Sequence, residues 1–372
     1  MNSGLEDKIR KLVKKEGSPL MLISKEALKK QYQTFKRHLA DVVPYYAIKA
    51  NPHPEIIKTF VHLGSGFDVA SAAEMELVLS LGASPDKIIF ANTIKSAEDL
   101  KKAYKAKVRF MTFDNEPELY KIAKYAPGSK VLVRIKVDNV GSTVELSLKF
   151  GADPDQALFL LKKAKSLGLN PAGVSFHVGS QCVNVENYQK ALEISSMIFE
   201  EAKKIGIPLS ILDIGGGFPI RHFDDDNHIT FKDIARLIKK KMRRLFDKDV
   251  KFIAEPGRFF AGPAGTLVTQ VVGRTFRNNK NYYYINDGVY GDFSGMIFDH
   301  CKYQFRSLRR GQKFLSTVAG PTCDSLDVLS LSEDLPEMDV GNIVYVKNIG
   351  AYSCASAVPN FNGFKPAKIL MV

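Results

Sequence analysis

The stretch Pro44-Tyr-Tyr-Ala-Ile-Lys-Ala-Asn-Pro52 is a short apolar run that ends on one lysine and is closed by prolines. Tyr45 to Ile48 has strand character, and Lys49 follows at once. A lysine at a strand terminus is most often a surface residue. It is also the type of amine that forms a Schiff base with a carbonyl cofactor when it is held at an apolar strand end. Which role applies depends on what the other strand ends carry.

Outward from this stretch the chain has a rhythm. Strand-like runs end near Lys49, Asp68, Asn92, Phe113, Lys136, His177, Asp213 and Glu255. Most are separated by segments of helical period: Pro54 to Leu63, Ala72 to Leu81, Ala97 to Ala106, Pro117 to Tyr125, Asp155 to Leu167, Val185 to Ile205 and Phe231 to Phe246. Strands alternating with helices indicate a parallel sheet. Eight of them predict an α/β fold closed into a (β/α)8 barrel of the TIM type, with an open doubly wound sheet as the alternative. After Glu255 the helical period stops. Gly265 to Val272, Tyr282 to Ile285, Gln312 to Val318 and Ile343 to Lys347 read as strands of a C-terminal antiparallel β domain. The early run Pro19 to Ile23 precedes the first barrel strand and is expected to join that domain. The expected division is a barrel over 28–262 and a β domain from 1–27 plus 263–372.

The 372 residues are 45% hydrophobic, ample for a large core. No run of about 18 apolar residues occurs, so no membrane span or membrane partner is expected, and the first ten residues contain no apolar signal region. The four cysteines show no paired spacing, which suits a reducing, cytoplasmic setting and argues against a metal site. A net charge of +13 raises the question of nucleic acid. The basic residues are spread along stretches such as Lys101 to Lys107 and Lys239 to Arg244 without interleaved aromatics, so no nucleic-acid partner is expected. A cationic small-molecule substrate would need its own acidic pocket against this background.

In a barrel the reactive groups collect at the C-terminal ends of the strands. Those ends carry Asp68, Asn92, Arg134, His177, Gly215-Gly-Gly217 and Glu255. Three glycines after a strand let backbone N–H groups approach an anion; the plainer reading is a tight turn. His177 at a strand end suits a flat ring stacked on a flat cofactor, with Ser180 offering a hydroxyl to a phosphate; a satisfied core histidine is the commoner case. Glu255 ends an apolar strand and needs a proton or a positive partner, while Arg258 suits phosphate or pairs with Glu255 itself. In the β-rich part, Phe298-Asp-His300, Gly320-Pro-Thr-Cys-Asp324 and Gly350-Ala-Tyr352 place a carboxylate, a thiol with a carboxylate, and a phenol in turns. The run Asp224-Asp-Asp226 reads as a solvated loop.

In this order the motifs Tyr46-Ala-Ile-Lys-Ala-Asn51, Gly66-Phe-Asp-Val-Ala-Ser71, Ser175-Phe-His-Val-Gly-Ser180, Asp213-Ile-Gly-Gly-Gly-Phe-Pro219, Ala254-Glu-Pro-Gly-Arg258, Asn286-Asp-Gly-Val-Tyr-Gly291, Gly320-Pro-Thr-Cys-Asp324 and Gly350-Ala-Tyr352 resemble the pyridoxal-phosphate-dependent decarboxylases of the alanine-racemase fold type, in their ornithine/lysine branch. The resemblance runs from about Leu20 to Phe364. It implies that Lys49 holds pyridoxal 5'-phosphate, that Gly216, Gly217, Ser180, Arg258 and Tyr352 bind its phosphate, and that His177 stacks on its ring. Glu255 would face the pyridine nitrogen, and Asp68, Glu74 and Arg134 would line the cofactor. Cys323 would return a proton to Cα. Asp299 and Asp324 would hold the distal ammonium of a diamino acid. The resemblance further implies a homodimer with shared active sites, in which Cys323 and Asp324 reach in from the partner subunit and Lys149 pairs with Asp327 across the interface. The expected reaction is decarboxylation of L-ornithine to putrescine, with L-lysine to cadaverine alongside, in polyamine biosynthesis. Diaminopimelate decarboxylases typically carry an Arg-Pro pair after the Asp-Gly turn and Glu after the Cys. Here the region reads Phe293-Ser-Gly-Met-Ile-Phe-Asp299, and Asp324 follows the Cys. Gln181 after Ser180 is closer to the diaminopimelate branch. A catalytically inactive regulatory homologue is the non-enzymatic alternative, and Glu255 in place of the usual Arg argues against a racemase.

Overall fold

The structure is a computed structural model that describes residues 3–143, 149–226 and 229–372. Two compact units are present: Lys29–Ile220 with Asn227–Phe260, and Met1–Leu28 with Arg221–Asp226 and Ala261–Val372. After a first strand β1 (Leu20–Ile23), the first of these units contains eight strands: β2 (Val42–Ala47), β3 (Gly66–Val69), β4 (Ile88–Phe90), β5 (Phe110–Phe113), β6 (Lys130–Arg134), β7 (Asn170–Ser175), β8 (Ile211–Asp213) and β9 (Lys251–Ala254). Each pairs in parallel with the next, and β9 pairs back onto β2, so the sheet is a closed barrel and the open-sheet alternative falls. The strands are short and buried on both faces; every side chain of β3, β4 and β8 is buried. Ile89, Ala91, Leu132, Ala172, Ile211 and Ile253 fill the interior, with Tyr45 and Phe110 packed against them. Each leucine or isoleucine among them contributes about 1.5–3 kcal/mol on burial.

Helices cover the outside of the barrel. Aromatic packing fixes several of them, with ring centroids 4.4 Å apart for Tyr46 and Phe60, 5.0 Å for Phe60 and Phe260, and 4.3 Å for Phe231 and Phe259. Three strand-to-helix turns end on a capping side chain. Ser71 accepts from the Glu74 N–H at 3.2 Å, Ser96 from Asp99 at 3.0 Å and Asn115 from Glu118 at 2.9 Å, each worth about 1 kcal/mol. Strand ends and helix starts are therefore fixed at the mouth where the polar residues collect.

The second unit is an eight-stranded sheet. Its other strands are β10 (Gly265–Arg277), β11 (Lys280–Ile285), β12 (Arg306–Ser307), β13 (Lys313–Ala319), β14 (Val328–Pro336), β15 (Ile343–Lys347) and β16 (Lys368–Met371). They run in the order β12-β15-β10-β11-β13-β14, and β1 lies between β10 and β16. The expected place of the N-terminal strand in this sheet holds. The sheet is mostly antiparallel, as expected, but β1 with β16 and β11 with β13 are parallel. Ile9, Leu20, Leu22, Val268, Leu308 and Tyr345 form its core.

Helix Lys25–His38, strand β14 and strand β16 have no counterpart in the sequence reading. Segment Arg221–Asp226 lies within the span expected for the barrel but clusters with the β unit. Asp224 is exposed there as expected, yet it pairs with Arg306 at 2.8 Å, while Asp226 accepts the N–H groups of His222 and Phe223. Among the described residues no helix is long and apolar enough to cross a membrane.

Candidate active site

Lys49 lies in the short 3-10 turn Ile48–Ala50 directly after β2. The β2–β3 register pairs Ala47 with Asp68, so the Lys49 amine reaches the carboxylate on the neighbouring strand and donates to Asp68 Oδ2. Asp68 is 1% exposed, whereas the Lys49 side chain is 44% exposed. A buried carboxylate thus fixes an amine whose chain remains open to reactants. Asp68 Oδ1 has no hydrogen-bond partner among the described residues. Glu74 lies in the first turn of the next helix and accepts from the Ala70 N–H at 2.6 Å. Burial pushes its carboxyl above the ordinary range, and neighbouring Asp68 adds to this; the Ala70 N–H and Lys49 oppose it. Arg134 ends β6, its guanidinium 5.1 Å from the Phe150 ring.

His177 follows β7. Its Nδ1 accepts from the Gly179 N–H at 3.0 Å, which leaves Nε2 to carry the ring proton. Burial holds the ring well below its ordinary pKa, and the charges of Arg134 and Lys49 lower it further. The ring is therefore neutral at physiological pH. Asn139 donates to the His177 carbonyl at 3.3 Å.

The triglycine turn follows β8. Gly215 and Gly217 have φ of 62° and 86°. A Cβ on Gly215 would lie 2.2 Å from the Phe176 carbonyl oxygen, on Gly216 2.6 Å from that of Glu255, and on Gly217 2.1 Å from that of Gly179. Close packing against the segments after β7 and β9 therefore requires all three glycines whether or not a ligand binds. The carbonyls of Gly216 and Gly217 accept from Tyr188 Oη at 3.1 Å and from the Cys182 N–H at 2.9 Å, while their own N–H groups donate to no atom among the described residues. Two unspent amides, the Ser180 hydroxyl and the Arg258 guanidinium, with Nη2 3.4 Å from Ser180 Oγ, form a donor set suited to phosphate.

Glu255 follows β9, is 8% exposed, and its N–H donates to the Gly215 carbonyl at 2.7 Å. Its Oε1 has no hydrogen-bond partner among the described residues. Burial and the nearby carboxylates of Asp213 and Asp68 push its carboxyl well above the ordinary range, with Lys49 opposing. A buried carboxyl oxygen without a partner beside an amine and a phosphate cradle fits the ring nitrogen of a pyridine aldehyde phosphate.

The barrel thus brings together Lys49, Asp68, Glu74, Arg134, His177, Ser180, Gly216, Gly217, Glu255 and Arg258. Asp299, Cys323, Asp324 and Tyr352 belong to the β unit. Asp299 is half-buried, with Cys301 Sγ 3.8 Å from its Oδ2. Cys323 is exposed, its N–H on Asn362 Oδ1 at 3.2 Å. Asp324 accepts from the Leu326 N–H at 2.9 Å and from the Tyr290 hydroxyl; these bonds hold it below the ordinary carboxylate range. Tyr352 has a left-handed backbone, φ 53°. Asp327 is buried and takes three donors from its own chain: Val289 N at 2.8 Å, Thr322 N at 3.1 Å and Thr322 Oγ1 at 2.7 Å.

Sequence reasoning gave no role to Asp213, Ser175, Asn139 or Tyr188. Asp213 had a visible signal, a carboxylate at a strand end just before the glycines. Gln181, the one departure from the expected motif, has φ 53°, and its amide brackets Ile220, accepting from its N–H at 2.8 Å and donating to its carbonyl at 3.0 Å.

Residues 25–262 match the family described as pyridoxal-dependent decarboxylase, pyridoxal binding domain. The lysine/ornithine decarboxylase of Selenomonas ruminantium is 42% identical over 96% of this chain and 91% of its own. The lysine decarboxylase of that organism, solved in complex with PLP and cadaverine, is 40% identical with a TM-score of 0.93, covering 98% of this chain and 93% of its own. The lysine/ornithine decarboxylase of Vibrio vulnificus complexed with putrescine is 35% identical with a TM-score of 0.93, covering 100% of this chain and 98% of its own.

Proposed function

The chain belongs to the pyridoxal-dependent decarboxylases, and on that premise we propose that it removes CO2 from a basic L-amino acid, L-ornithine to putrescine with L-lysine also accepted. Pyridoxal phosphate is the cofactor; when bound it supplies an electron-accepting ring that delocalises the charge left at Cα. The observation that carries this reading is the Lys49 amine, fixed by buried Asp68 in the same barrel mouth as the triglycine turn and Glu255. Lys49 supplies the amine for the cofactor's aldehyde. The N–H groups of Gly216 and Gly217, with Ser180 and Arg258, hold the phosphate end. His177 offers an uncharged face for stacking, so it adds no positive charge against the ring. Glu255 accepts from the ring nitrogen and keeps a proton there, which makes the ring a stronger electron acceptor. Asp68, Glu74 and Arg134 line the remaining side.

For the β unit we propose substrate roles. Asp299 and Asp324 supply the negative charge that a distal ammonium requires in a protein of net charge +13. Cys323 returns a proton to Cα, and Tyr352 adds a hydroxyl to the phosphate. The working form is a homodimer in the cytoplasm.

Side-by-side kcat/KM values for ornithine, lysine, arginine and diaminopimelate test the assignment. Ornithine is expected to lead and lysine to follow within the roughly 10–200-fold that one methylene can discriminate. A preference for diaminopimelate would remove the roles of Asp299 and Asp324; absence of CO2 release from all four would remove the activity.

A further inference from the structure

Asp213 and Glu255 are two buried carboxyls one hydrogen bond apart, at the ends of adjacent barrel strands. Asp213 is fully buried, and both its oxygens already accept: Oδ1 from the Gly215 N–H at 2.9 Å and Oδ2 from the Ser175 hydroxyl at 3.2 Å. These donors favour the charged form of Asp213. Glu255 has no such donor among the described residues on Oε1, which leaves it the better place for a proton. Two carboxylates this close and this dry do not both ionise near neutral pH.

We propose that Asp213 is a positioning residue that acts through Glu255. The pair holds one proton between them, and the charge retained by Asp213 keeps that proton on the Glu255 side, where the cofactor's ring nitrogen is received. The proposal rests on the function above only for the identity of the group that Glu255 meets. The electrostatics around the pair agree. Burial pushes Asp213 up to about 6, with the hydrogen bonds from Glu255, Gly215 and Ser175 restraining it and Asp68 adding to the rise. Glu255 lies well above the ordinary carboxylate range, raised by burial, by Asp213 and by Asp68, and lowered by Lys49. Tyr45 faces Asp213 from inside the barrel as a phenol that burial and Asp213 hold protonated. His177 is neutral, with Arg134 and Lys49 as the cations near its ring, and Lys49 also acts on Glu255. A second carboxylate behind Glu255 raises the proton affinity of whatever shares Glu255's proton. The ring nitrogen thereby stays protonated to higher pH than Glu255 alone would allow.

Infrared difference spectra of the protein, with and without cofactor, across a pH titration test this. After subtraction of the carboxyl bands common to wild type and variants, those of buried Asp287 and Asp292 among them, wild type is expected to keep a protonated-carboxyl band through neutral pH and to lose it in two steps. Asp213→Asn is expected to show one step, displaced downward by about one pH unit or more. In the same variant the nitrogen of 15N-labelled pyridoxal phosphate, followed by NMR, should release its proton at lower pH, and the basic limb of kcat should shift the same way with KM unchanged. Should Asp213→Asn misfold, Ser175→Ala provides the second test: loss of one donor to Asp213 should move the lower step upward. An unchanged two-step titration in Asp213→Asn, or a lower step indifferent to Ser175→Ala, overturns the proposal. Failure of the wild type to bind pyridoxal phosphate would instead overturn the function and leave the carboxyl band readable in the cofactor-free protein.

Discussion

The Lys49 amine is paired with Asp68, a carboxylate fully buried in the strand next to its own. The amine's position is therefore set by the barrel and not by a flexible loop. Lys49→Ala is expected to abolish CO2 release and the visible absorbance that the wild type shows on addition of pyridoxal phosphate. Asp68→Asn should keep the absorbance and lose about tenfold in kcat, the worth of one charge-assisted hydrogen bond. Full activity in Asp68→Asn would mean that the ion pair does not position the amine.

The proposed homodimer, if Cys323 serves the partner's site as the resemblance implies, makes a complementation prediction. Lys49→Ala and Cys323→Ala proteins, each inactive, should regain part of the wild-type activity when mixed under conditions that exchange subunits. If labelled subunits exchange and activity stays absent, each site is self-contained.

His177 carries a pH prediction whose sign follows from its lowered pKa. In the unfolded chain the imidazole takes up a proton below about 6.5. In the folded protein it does not until much lower pH. Over that window the unfolded state binds more protons, so stability falls as pH falls. His177→Gln should show a smaller loss of thermal stability between pH 7 and pH 5 than wild type. Equal losses would remove His177 from the acid limb.

The barrel was legible because its strands are short, apolar on both faces and punctuated by polar ends, and because seven helices keep their period between them. Helix Lys25–His38 was hidden by its composition, since only Leu28 and Phe35 are fully buried in a run of lysines and polar residues. Strand β14 was hidden for the opposite reason to the barrel strands: Leu331, Ser332 and Asp334 are exposed and Glu333 is half-buried, so no apolar alternation marks it. The parallel pairing of Leu20 with Lys368 joins the two ends of the chain, and no local pattern encodes that. In the barrel, Lys49, Asp68, Arg134, His177 and Glu255 could each be placed singly at or just after a strand end. The Asp213–Glu255 contact could not, because it depends on the register between β8 and β9, which sets Asp213 opposite Ile253, and spacing along the chain does not encode that register.

Lys95 illustrates a charge buried for structure. It is 2% exposed and pairs with Glu118 at 3.1 Å. It also donates to the carbonyls of Asn92 at 2.9 Å and Thr112 at 2.7 Å, tying the turn after β4 to β5. Burial pushes its amine down to about 8, with Glu118 opposing. Lys95→Met should destabilise the protein by about 3–5 kcal/mol in urea unfolding, because buried Glu118 loses one of its two ammonium partners and two carbonyls lose their donor. The double variant with Glu118→Leu should recover part of this. A single variant within about 0.5 kcal/mol of wild type would show that Lys121, 2.6 Å from Glu118, suffices.

Asp287 and Asp292 form a second buried carboxyl pair, in the β unit. Asp287 Oδ1 accepts from the N–H groups of Gly288 at 2.7 Å and Asp292 at 3.1 Å, and both side chains are buried. Burial, then the charge of Asp292, pushes Asp287 well above the ordinary carboxylate range; burial lifts Asp292 to about 6. The sign is opposite to that for His177. Between the ordinary range and about 6 the folded protein binds more protons than the unfolded chain, so stability falls as pH rises through that window and beyond it for Asp287. Asp292→Asn keeps an acceptor oxygen for the surrounding N–H groups and removes one of the two charges. Its Tm should decline less than that of wild type between pH 5 and pH 8. If the two declines are the same, the carboxyls do not share a proton, and the turn Asn286-Asp-Gly-Val-Tyr-Gly291 is held by its backbone bonds alone.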